Sequence, residues 1–532
     1  MNFDFISLLL FLWFIRDIKY VSFWLYLWQL KQYHSGRFLS HFKTEQGKKL
    51  ISNPLQIAKI LLIIVWILTE ALSLENISLL LMPALFLIYF VEMIMYFRAV
   101  FYKRAKFPKF TRKVTFLFLV NLFVIINFPS VVSLVSKTAF GLGFAILLFD
   151  VLIPVVVSGI VLLFQPISYY YRLSLQKKAK IKINNLKSGL KIIAIVGSYG
   201  KTSTKEYLNT ILSAKYKVLS MREHQNTEVG IPLAILNDLR QEHEIFIAEI
   251  GAYDKGTIKR TCEFLQPNIG LVTGVNEQHL SLFGSMDNLL SAEGGQELLE
   301  CLPKGSLLVV NGENNYCMDL YNKANIDKIA YTFNQAQDVI VKEDSVSFSF
   351  NNQMVKLGIL GKHNVLNLLG AIQIAIKLGM SAKEIAESLK RIDDKQNSLR
   401  IYTSKNGVKI IDSTYSSNPD GVIADLDYLN IYPGKKVVVM PCLIELGKEA
   451  GNVHNRIGEK IARICDLAII TTADFYQELK NGAMGTGMKE DSVCLLRDVD
   501  SIISKIISVC GTNDVVLLEG RLQPGILTEL KK

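Results

Sequence analysis

The residues best placed to do chemistry are Gly197-Ser-Tyr-Gly-Lys-Thr-Ser203, a short glycine-rich segment with a lysine and hydroxyl side chains. Backbone N–H groups of small residues can approach phosphate oxygens closely, a lysine adds positive charge beside the outer phosphates, and a threonine hydroxyl is a suitable Mg²⁺ ligand. Lys201 and Thr202 supply the last two groups. The segment therefore predicts a site for ATP with Mg²⁺.

The surrounding sequence places this segment between a strand and a helix. The apolar run 192–196 precedes it and a stretch with helical periodicity follows it, which is the context of a phosphate-binding loop. The spacing is unusual because only Ser198 and Tyr199 separate Gly197 from Gly200, whereas the common version has four variable positions. A short loop narrows the families to which the chain can belong.

Charge divides the chain into two parts. Residues 1–190 hold 22 Lys and Arg against 7 Asp and Glu, so the whole excess of +11 comes from this part. Positive charge confined to an apolar region indicates the cytoplasmic edge of a bilayer and argues against nucleic acid as a partner. We predict about five spans, each near the ~20 residues that cross a bilayer core. They are residues 5–30, 55–74, 77–97, 114–135 and 139–164.

The first predicted span has an alternative interpretation. Arg16, Asp17 and Lys19 interrupt it, so this helix either crosses the bilayer or lies in its interface. Within the later spans, Glu70 and Glu92 lie near predicted ends, from which a carboxylate can reach the interface. Asp150 lies deeper and is the one intramembrane functional candidate.

Basic residues in alternate connections set the orientation. They cluster in residues 37–49, 103–113 and 172–182, while the turns near Glu75 and Lys137 are short and nearly uncharged. The positive-inside rule then predicts a multi-pass protein of the cytoplasmic membrane with everything after Lys191 in the cytoplasm. The bilayer is thus a predicted partner, and the oligomeric state stays open.

The remainder is too long for one core and predicts two α/β domains. Apolar runs at 192–196, 245–250, 269–272 and 307–310 alternate with helical patterns, and a second series follows at 408–411, 436–440, 467–471 and 515–518. A polar break at 393–397 separates the two series. The fold class predicted is an N-terminal α-helical transmembrane domain, residues 1–190, followed by α/β domains at 191–393 and 394–532. Residues 339–357 predict a two-stranded ribbon.

Two further residues follow predicted strands. Glu249 ends one apolar run, and His279 lies in the polar segment after another. The carboxyl ends of parallel strands present ligand-binding groups, so both are candidate metal ligands beside the phosphate loop. A solvated loop histidine is the alternative for His279.

Six motifs in order carry a family resemblance. They are the phosphate loop extended to Glu206, Asn226-Thr-Glu-Val-Gly-Ile-Pro232, Ala248-Glu-Ile-Gly-Ala252, Glu277-Gln-His-Leu-Ser-Leu-Phe-Gly-Ser285, Gly361-Lys-His-Asn-Val-Leu-Asn367 and Tyr415-Ser-Ser-Asn-Pro419. From about Lys191 onward the chain resembles the Mur ligases, and most closely the branch that joins D-alanyl-D-alanine to a UDP-linked muramoyl tripeptide. The α/β domains then correspond to the family's central P-loop ATPase domain and its C-terminal Rossmann-like domain.

The resemblance implies an ADP-forming acid–amino-acid ligase. A carboxylate of a cell-wall precursor is activated by ATP as an acyl phosphate and then attacked by an amino acid or dipeptide. The implied ATP-binding residues are Gly197, Ser198, Gly200, Lys201, Thr202, Ser203, Asn364, Arg400 and Asp412. Thr202, Glu249 and His279 would bind the metal, while Asn226, Thr227, Glu445 and His454 would bind substrate. The predicted catalytic residues are Lys201, Glu249 and His279, with Glu293 added because of its location on the helix after the histidine motif.

The chain departs from the family pattern in four places. The lysine that the family modifies to a carbamate is absent from Ser291-Ala-Glu-Gly-Gly-Gln-Glu297, and Glu293 or Glu297 is the expected replacement. Gly274 stands where an asparagine follows Thr273 in the family, and paired acids are reduced to Asp412 with Ser413. Membrane spans also occupy the place of the UDP-binding domain, which favours a lipid-linked acceptor.

Three alternatives remain at this point. The ligase can act on a different lipid-linked or polymeric carboxylate, or the chain can be a catalytically impaired scaffold of the same family. An ATP-driven transporter is the third, and the amide-ligase motifs argue against it.

Overall fold

The structure, a computed structural model, describes residues 3–73, 75–103, 105–186, 189–222, 225–392, 399–415 and 417–531. The chain forms two compact units, residues 1–171 and 172–532. The predicted domain break at 393–397 lies outside the described residues, so the boundary there stays a prediction. The boundary predicted at residue 190 follows a long helix, Gln165–Leu186, whose residues from Arg172 onward belong to the second unit.

The N-terminal unit is helical. Its helices are α1 (Phe3–Leu30), α2 (Ser35–His41), α3 (Glu45–Ile51), α4 (Pro54–Ala71), α5 (Glu75–Phe101), α6 (Arg112–Val135), α7 (Ala139–Leu163) and the start of α8 (Gln165–Leu186). Side chains cap several of them: Thr111 and Thr138 accept hydrogen bonds from backbone N–H groups of the first turns of α6 and α7.

Four segments of the described chain are long and apolar enough to cross a membrane. They are Glu45–Ala71, Leu80–Phe101, Arg112–Val135 and Ala139–Leu186. Helix α1 covers the first predicted span but is not among these four, because charged residues interrupt its apolar sequence. It packs against α5, α6 and α7, and its tryptophans at 13, 24 and 28 are buried.

A cluster of buried ion pairs joins four helices of this unit. Arg16 of α1 contacts Glu92 of α5 at 3.2 Å and also pairs with Asp150 of α7, while Lys59 of α4 lies 2.5 Å from Glu92 and 2.8 Å from Asp150. Asp17 accepts a further hydrogen bond from Arg16. The expectation that Glu92 reaches an interface is therefore wrong, because cations from two other helices hold it inside the bundle.

The central domain is built on six parallel strands. They are β1 (Lys191–Val196), β2 (Val218–Ser220), β3 (Ile245–Glu249), β4 (Ile269–Val272), β5 (Leu307–Asn311) and β6 (Asp327–Tyr331), in the order β2-β3-β1-β4-β5-β6. Helices cover both faces, so consecutive residues of β1 are buried in two different cores. The helices are α9 (Lys201–Leu212), α10 (Gly230–Asp238), α11 (Thr257–Leu265), α12 (Leu280–Phe283), α13 (Met286–Ala292), α14 (Gln296–Cys301), α15 (Asn315–Lys323), α16 (Lys362–Lys377) and α17 (Ala382–Leu389).

The ribbon predicted at 339–357 has three strands rather than two. Strands β7 (Gln337–Val341), β8 (Val346–Phe350) and β9 (Gln353–Leu357) pair antiparallel in that order. The turn between β8 and β9 is so short, with Asn351 and Asn352 both at positive φ, that the last two strands read as one in the sequence.

The C-terminal domain has a mixed sheet in the order β10-β11-β15-β12-β13-β14. Its strands are β10 (Arg400–Thr403), β11 (Lys409–Ser413), β12 (Lys436–Met440), β13 (Leu467–Ile470), β14 (Val493–Leu495) and β15 (Val515–Glu519), and only β10 runs antiparallel. Its helices are α18 (Pro419–Leu429), α19 (Ala450–Ile464), α20 (Tyr476–Gly485), α21 (Val499–Val509) and α22 (Pro524–Leu530). The predicted fold class, a helical region followed by two α/β domains, is confirmed.

The buried ion pairs predict a test of the helical unit. Replacing Asp150 with Asn removes the carboxylate that Arg16 and Lys59 share, and losing one partner of a buried pair costs about 3–5 kcal/mol. We expect the full-length protein in detergent to unfold at a lower temperature. Glu70→Gln is the control because its side chain is exposed. Equal midpoints for both variants would contradict a stabilising role for the cluster.

Candidate active site

The phosphate loop connects β1 to α9. Gly197 and Gly200 have φ of +139° and +76°, and α9 begins at Lys201. A Cβ on Gly197 would lie 2.3 Å from Thr273 Oγ1, so that position has no room for a side chain. The first N–H groups of α9 have no partner within the helix, which together with the helix dipole makes this end suited to phosphate.

Thr202 and Glu249 meet beside the loop. The Thr202 hydroxyl donates to the Glu249 carboxylate, with distances of 3.1 and 3.2 Å to its two oxygens. The ammonium of buried Lys205 lies 3.6 Å from the same carboxylate. Lys201 turns back over the loop and donates to the carbonyls of Gly197 and Ser198. A hydroxyl, a carboxylate and two ammonium groups therefore surround the N-terminus of α9.

The two predicted substrate residues after β2 have different surroundings. Asn226 donates from Nδ2 to Glu249 Oε1 at 2.9 Å, so it adjoins the Thr202–Glu249 pair. The Thr227 side chain accepts a hydrogen bond from the Gly230 backbone at the start of α10. Asn226 thus lies at the candidate site, whereas the hydroxyl of Thr227 is used to begin a helix.

Glu293 joins the phosphate loop to the histidine segment. Its carboxylate accepts from Ser198 Oγ at 2.7 Å and lies 2.9 Å from His279 Nδ1. Burial by itself would raise the pKa of Glu293, but the nearby His279, its hydrogen bond, Lys201 and the Ser198 hydroxyl outweigh burial and lower that pKa. Glu293 is therefore ionised at neutral pH beside the residues that would surround the phosphates.

Glu297, the other expected replacement for the family lysine, lies in different surroundings. Its carboxylate accepts from the backbone N–H groups of Gly256 at 2.7 Å and Lys259 at 3.0 Å, and from the Ser291 hydroxyl at 3.2 Å. These bonds hold the beginning of α11 against α14. Of the two glutamates, only Glu293 contacts the phosphate loop.

The C-terminal domain contributes to the same edge. Asn276, which follows β4, donates to Asn418 at 3.0 Å and to Asp420 at 2.7 Å. The Glu445 carbonyl accepts from the Ser281 N–H at 2.9 Å, and the Glu445 carboxylate lies 3.8 Å from His279 Nε2. Glu445 has φ of +69°. The predicted substrate residue Glu445 therefore does lie near His279.

His454 is not brought to this edge. Its ring is fully buried and stacks on Phe475, and its nitrogens contact the Leu443 N–H at 2.9 Å and the Ala450 carbonyl at 2.6 Å. Because both nitrogens are occupied by backbone groups, direct substrate contact does not fit this arrangement. The imidazole instead fixes the loop that carries Glu445.

The residues expected to bind the nucleotide beyond the phosphate loop are spread over two domains: Asn364 is expected to contact adenine, and Arg400 and Asp412 to clamp the nucleotide between the domains. Asn364, at the start of α16, is buried and donates to the Leu360 carbonyl at 2.7 Å. Arg400 and Asp412 lie opposite each other in the backbone register of the antiparallel strands β10 and β11. Sequence reasoning missed Asn367, one turn after Asn364, whose Oδ1 lies only 2.6 Å from where a Cβ on Gly200 would be. Its position in the same motif as Asn364, residues 361–367, is the sequence signal that could have identified Asn367.

The described residues contain no group of three or more His, Cys, Asp or Glu side chains arranged to hold a metal. Thr202 and Glu249 nevertheless supply hard oxygen atoms at one point. Mg²⁺ is commonly held by one or two carboxylates together with substrate phosphates. The donor set therefore fits Mg²⁺ bound with a nucleotide rather than by the protein alone.

Relatives of this chain are known. A 271-residue stretch is 31% identical to the UDP-N-acetylmuramoyl-tripeptide--D-alanyl-D-alanine ligase of Synechocystis sp., covering 51% of this chain and 59% of that protein. The ligase of the same description from Bacillus subtilis is 27% identical over 54% of this chain and 64% of its own length. The chain thus matches about six tenths of the length of these relatives.

Solved structures show the same fold. MurF from Acinetobacter baumannii is 24% identical with a TM-score of 0.61, over 68% of this chain and 80% of that one. MurF ligase from Thermotoga maritima in complex with ADP is 22% identical with a TM-score of 0.57, over 68% and 83%.

Two family models match this part of the chain. The Mur ligase middle domain matches residues 195–375, and the Mur ligase glutamate ligase domain matches residues 399–522. Together they cover more than half of the 532 residues, including the phosphate loop, Glu249 and His279. The chain belongs to the Mur ligase family.

Proposed function

We propose that this protein is a membrane-anchored, ATP-dependent amide ligase that adds an amino acid or dipeptide to a cell-wall precursor. D-Alanyl-D-alanine is the amine we favour, because the relatives named above are described as UDP-N-acetylmuramoyl-tripeptide--D-alanyl-D-alanine ligases. The observation that carries the proposal is the convergence of Lys201, Thr202, Glu249 and Glu293 around the N-terminus of α9. This arrangement suits the transfer of a phosphoryl group to a carboxylate.

The reaction has two steps. A carboxylate oxygen of the acceptor attacks the γ-phosphorus of ATP, and ADP leaves. The amine nitrogen then attacks the carbonyl carbon of the acyl phosphate, phosphate leaves, and the nitrogen loses a proton. The first step brings a carboxylate oxygen against the negatively charged phosphates, and the second builds negative charge on the carbonyl oxygen and the leaving phosphate, so correctly placed positive charge and hydrogen-bond donors lower both barriers.

Named residues would perform separate tasks in these steps. The ammonium of Lys201 would move from the loop carbonyls to the outer phosphates, and the N–H groups at the start of α9 would bind phosphate oxygens. Thr202 and Glu249 would hold Mg²⁺, which when bound neutralises phosphate charge. Asn226 would orient the Glu249 carboxylate through its 2.9 Å hydrogen bond.

Glu293 would take the place of the modified lysine of the family. A glutamate carries its negative charge without carbon dioxide, so the ligase would work without carbamate formation. The Glu293 carboxylate would orient His279 and the Ser198 hydroxyl through its 2.9 and 2.7 Å contacts. This assignment weighs against the alternative of an impaired scaffold, because the buried Glu293 carboxylate contacts both Ser198 of the phosphate loop and His279.

Membrane anchoring and orientation are part of the proposal. Four apolar segments of sufficient length and the basic connections between them support a multi-pass protein with its ligase domains in the cytoplasm, where ATP is present. Anchoring confines enzyme and acceptor to one surface and raises their effective concentration, which favours a lipid-linked acceptor. A ligase for a different lipid-linked or polymeric carboxylate is the second candidate.

The central prediction concerns Lys201. We expect Lys201→Ala in the full-length protein to lower ligation and ADP formation about 100-fold or more, because the charge that stabilises the transferring phosphoryl group is lost. The measurement is product mass with ATP, Mg²⁺, D-alanyl-D-alanine and a panel of UDP-linked and lipid-linked precursors. Lys323→Ala, which removes an exposed lysine at the end of α15, is the matched control. Undiminished product from Lys201→Ala would reject the ligase mechanism.

A second prediction compares the two glutamates. Glu293→Gln keeps the shape but removes the charge that orients His279, so kcat should fall about 10- to 100-fold. Glu297→Gln should instead lower Tm, since it weakens the bonds to Gly256 and Lys259, and leave kcat near that of the unmodified protein.

The pH dependence of the ligation rate gives a further test of the role of Glu293. Because the pKa of Glu293 is lowered, its charge persists through neutral pH and is lost only as the pH falls below the ordinary range for a glutamate. The defect of Glu293→Gln should therefore be constant across neutral pH, and the rate of the unmodified enzyme should not respond to bicarbonate. A bicarbonate requirement would show that a carbamate is needed after all.

A further inference from the structure

The helical unit contains a cavity of about 490 Å³ that is separate from the ATP site. It is lined by α1, α3, α4, α5, α7 and the segments that follow α2 and α5. The lining residues that bear on its chemistry are Lys19, Trp24, Asn53, Gln56, Ile60 and Lys106. Its volume lies within the range of about 300–1,000 Å³ found for sites that enclose small ligands.

The lining is apolar with positive charge. Aromatic and aliphatic side chains form most of the wall, and the two charged lining residues are both lysines. No carboxylate of the described residues forms an ion pair with Lys19 or Lys106. Lys19 lies instead over the rings of Tyr20 and Tyr96, at 5.5 and 5.7 Å. A wall of this kind fits a ligand that has both a hydrocarbon part and an anionic group.

The cavity lies at the basic end of the helical unit. Its wall includes the residues just before and after the start of α4 and the last turns of α5, and the basic segment 103–113 follows α5 directly. Helix α6 begins and α7 ends at this same end. An anionic group bound here would lie where charged lipid headgroups meet a basic protein surface.

The buried ion-pair cluster contacts one wall of the cavity. Tyr20, which lines the cavity, donates its hydroxyl to Glu92 at 3.3 Å, and the Arg16 guanidinium lies 3.6 Å from the centre of its ring. Both partners belong to the buried ion-pair cluster. The cluster therefore keeps one wall of the cavity rigid, as a specific binding site requires.

We propose that this cavity binds the phosphate-bearing end of the lipid that carries the ligase's acceptor, with its hydrocarbon against the aromatic wall and its phosphate at Lys19 and Lys106. The inference rests on the proposed function, since it assigns a site to the lipid part of that acceptor. A soluble anion would leave the apolar wall exposed to water, and an uncharged lipid would place no anionic group beside Lys19 and Lys106.

The test uses full-length protein in phosphatidylcholine nanodiscs and hexadecyl phosphate as the probe, with bound lipid counted by native mass spectrometry. Ala99→Trp places a large ring in the cavity and should reduce binding at least tenfold. Val100→Trp is its control, because the neighbouring side chain is exposed and does not line the cavity. Lys19→Gln with Lys106→Gln should also reduce binding, whereas Lys103→Gln, an exposed lysine outside the lining, should not.

Competing lipids separate the possible sources of the phosphate. Hexadecanol and glycerol phosphate should not displace the probe, and phosphatidylglycerol should displace it only in large excess. Equal displacement by phosphatidylglycerol would assign the cavity to bulk anionic lipid, and equal displacement by glycerol phosphate would assign it to a soluble anion. Either outcome overturns the proposal, as does unchanged binding by both Ala99→Trp and the double lysine variant.

Ligation assays distinguish this failure from that of the proposed function. Ala99→Trp should lose ligation of a lipid-linked acceptor more than tenfold while keeping its ligation of the same acceptor without lipid. If the unmodified protein ligates neither form, the proposed function fails, and the binding experiment still decides what the cavity holds.

Discussion

The pairing of β1 with β3 on one side and β4 on the other is the constraint on which the candidate site depends. In this register Ile195 lies beside Glu249 and Val196 beside Val272, so all three strands end at one edge. The phosphate loop, Glu249 and the histidine segment are therefore neighbours although tens of residues separate them in the sequence. The Ser198 N–H also donates a 2.7 Å hydrogen bond to the Gly274 carbonyl, which connects the loop after β1 to the loop after β4. A shift in register would part Thr202 from Glu249.

Much of this arrangement is predictable, because buried parallel strands have continuous apolar sequences and ligand groups follow their carboxyl ends. This reasoning predicts that the phosphate loop, Glu249 and His279 lie at one edge of the sheet. The contacts that a side chain makes in the segments after a strand are harder to predict from the sequence. Glu293 and Glu297 have similar sequence positions, yet one faces Ser198 and the other binds backbone at the start of α11. His454 has a similar difficulty, since only packing against Phe475 reveals that its ring is enclosed.

In the helical unit, too, the sequence predicts the elements but not the partners of individual side chains. Hydropathy predicts where long apolar helices occur, but the partners of a charge within them come from other helices. Glu92 meets Arg16 and Lys59 across distances of 76 and 33 residues. No local pattern indicates such a match, and burial of these charges is tolerable only because each cation meets a carboxylate. Specific packing of four helices, rather than apolar character alone, therefore defines this unit.

The contact between Tyr199 and Gly274 limits how the loop can evolve. A Cβ on Gly274 would lie 2.3 Å from the tyrosine ring, so the ring occupies the space that any larger residue after Thr273 would need. Any residue larger than glycine at 274 therefore requires the Tyr199 ring to move or a smaller residue at position 199. Substitutions at these two positions are consequently coupled, although 75 residues separate them in the chain.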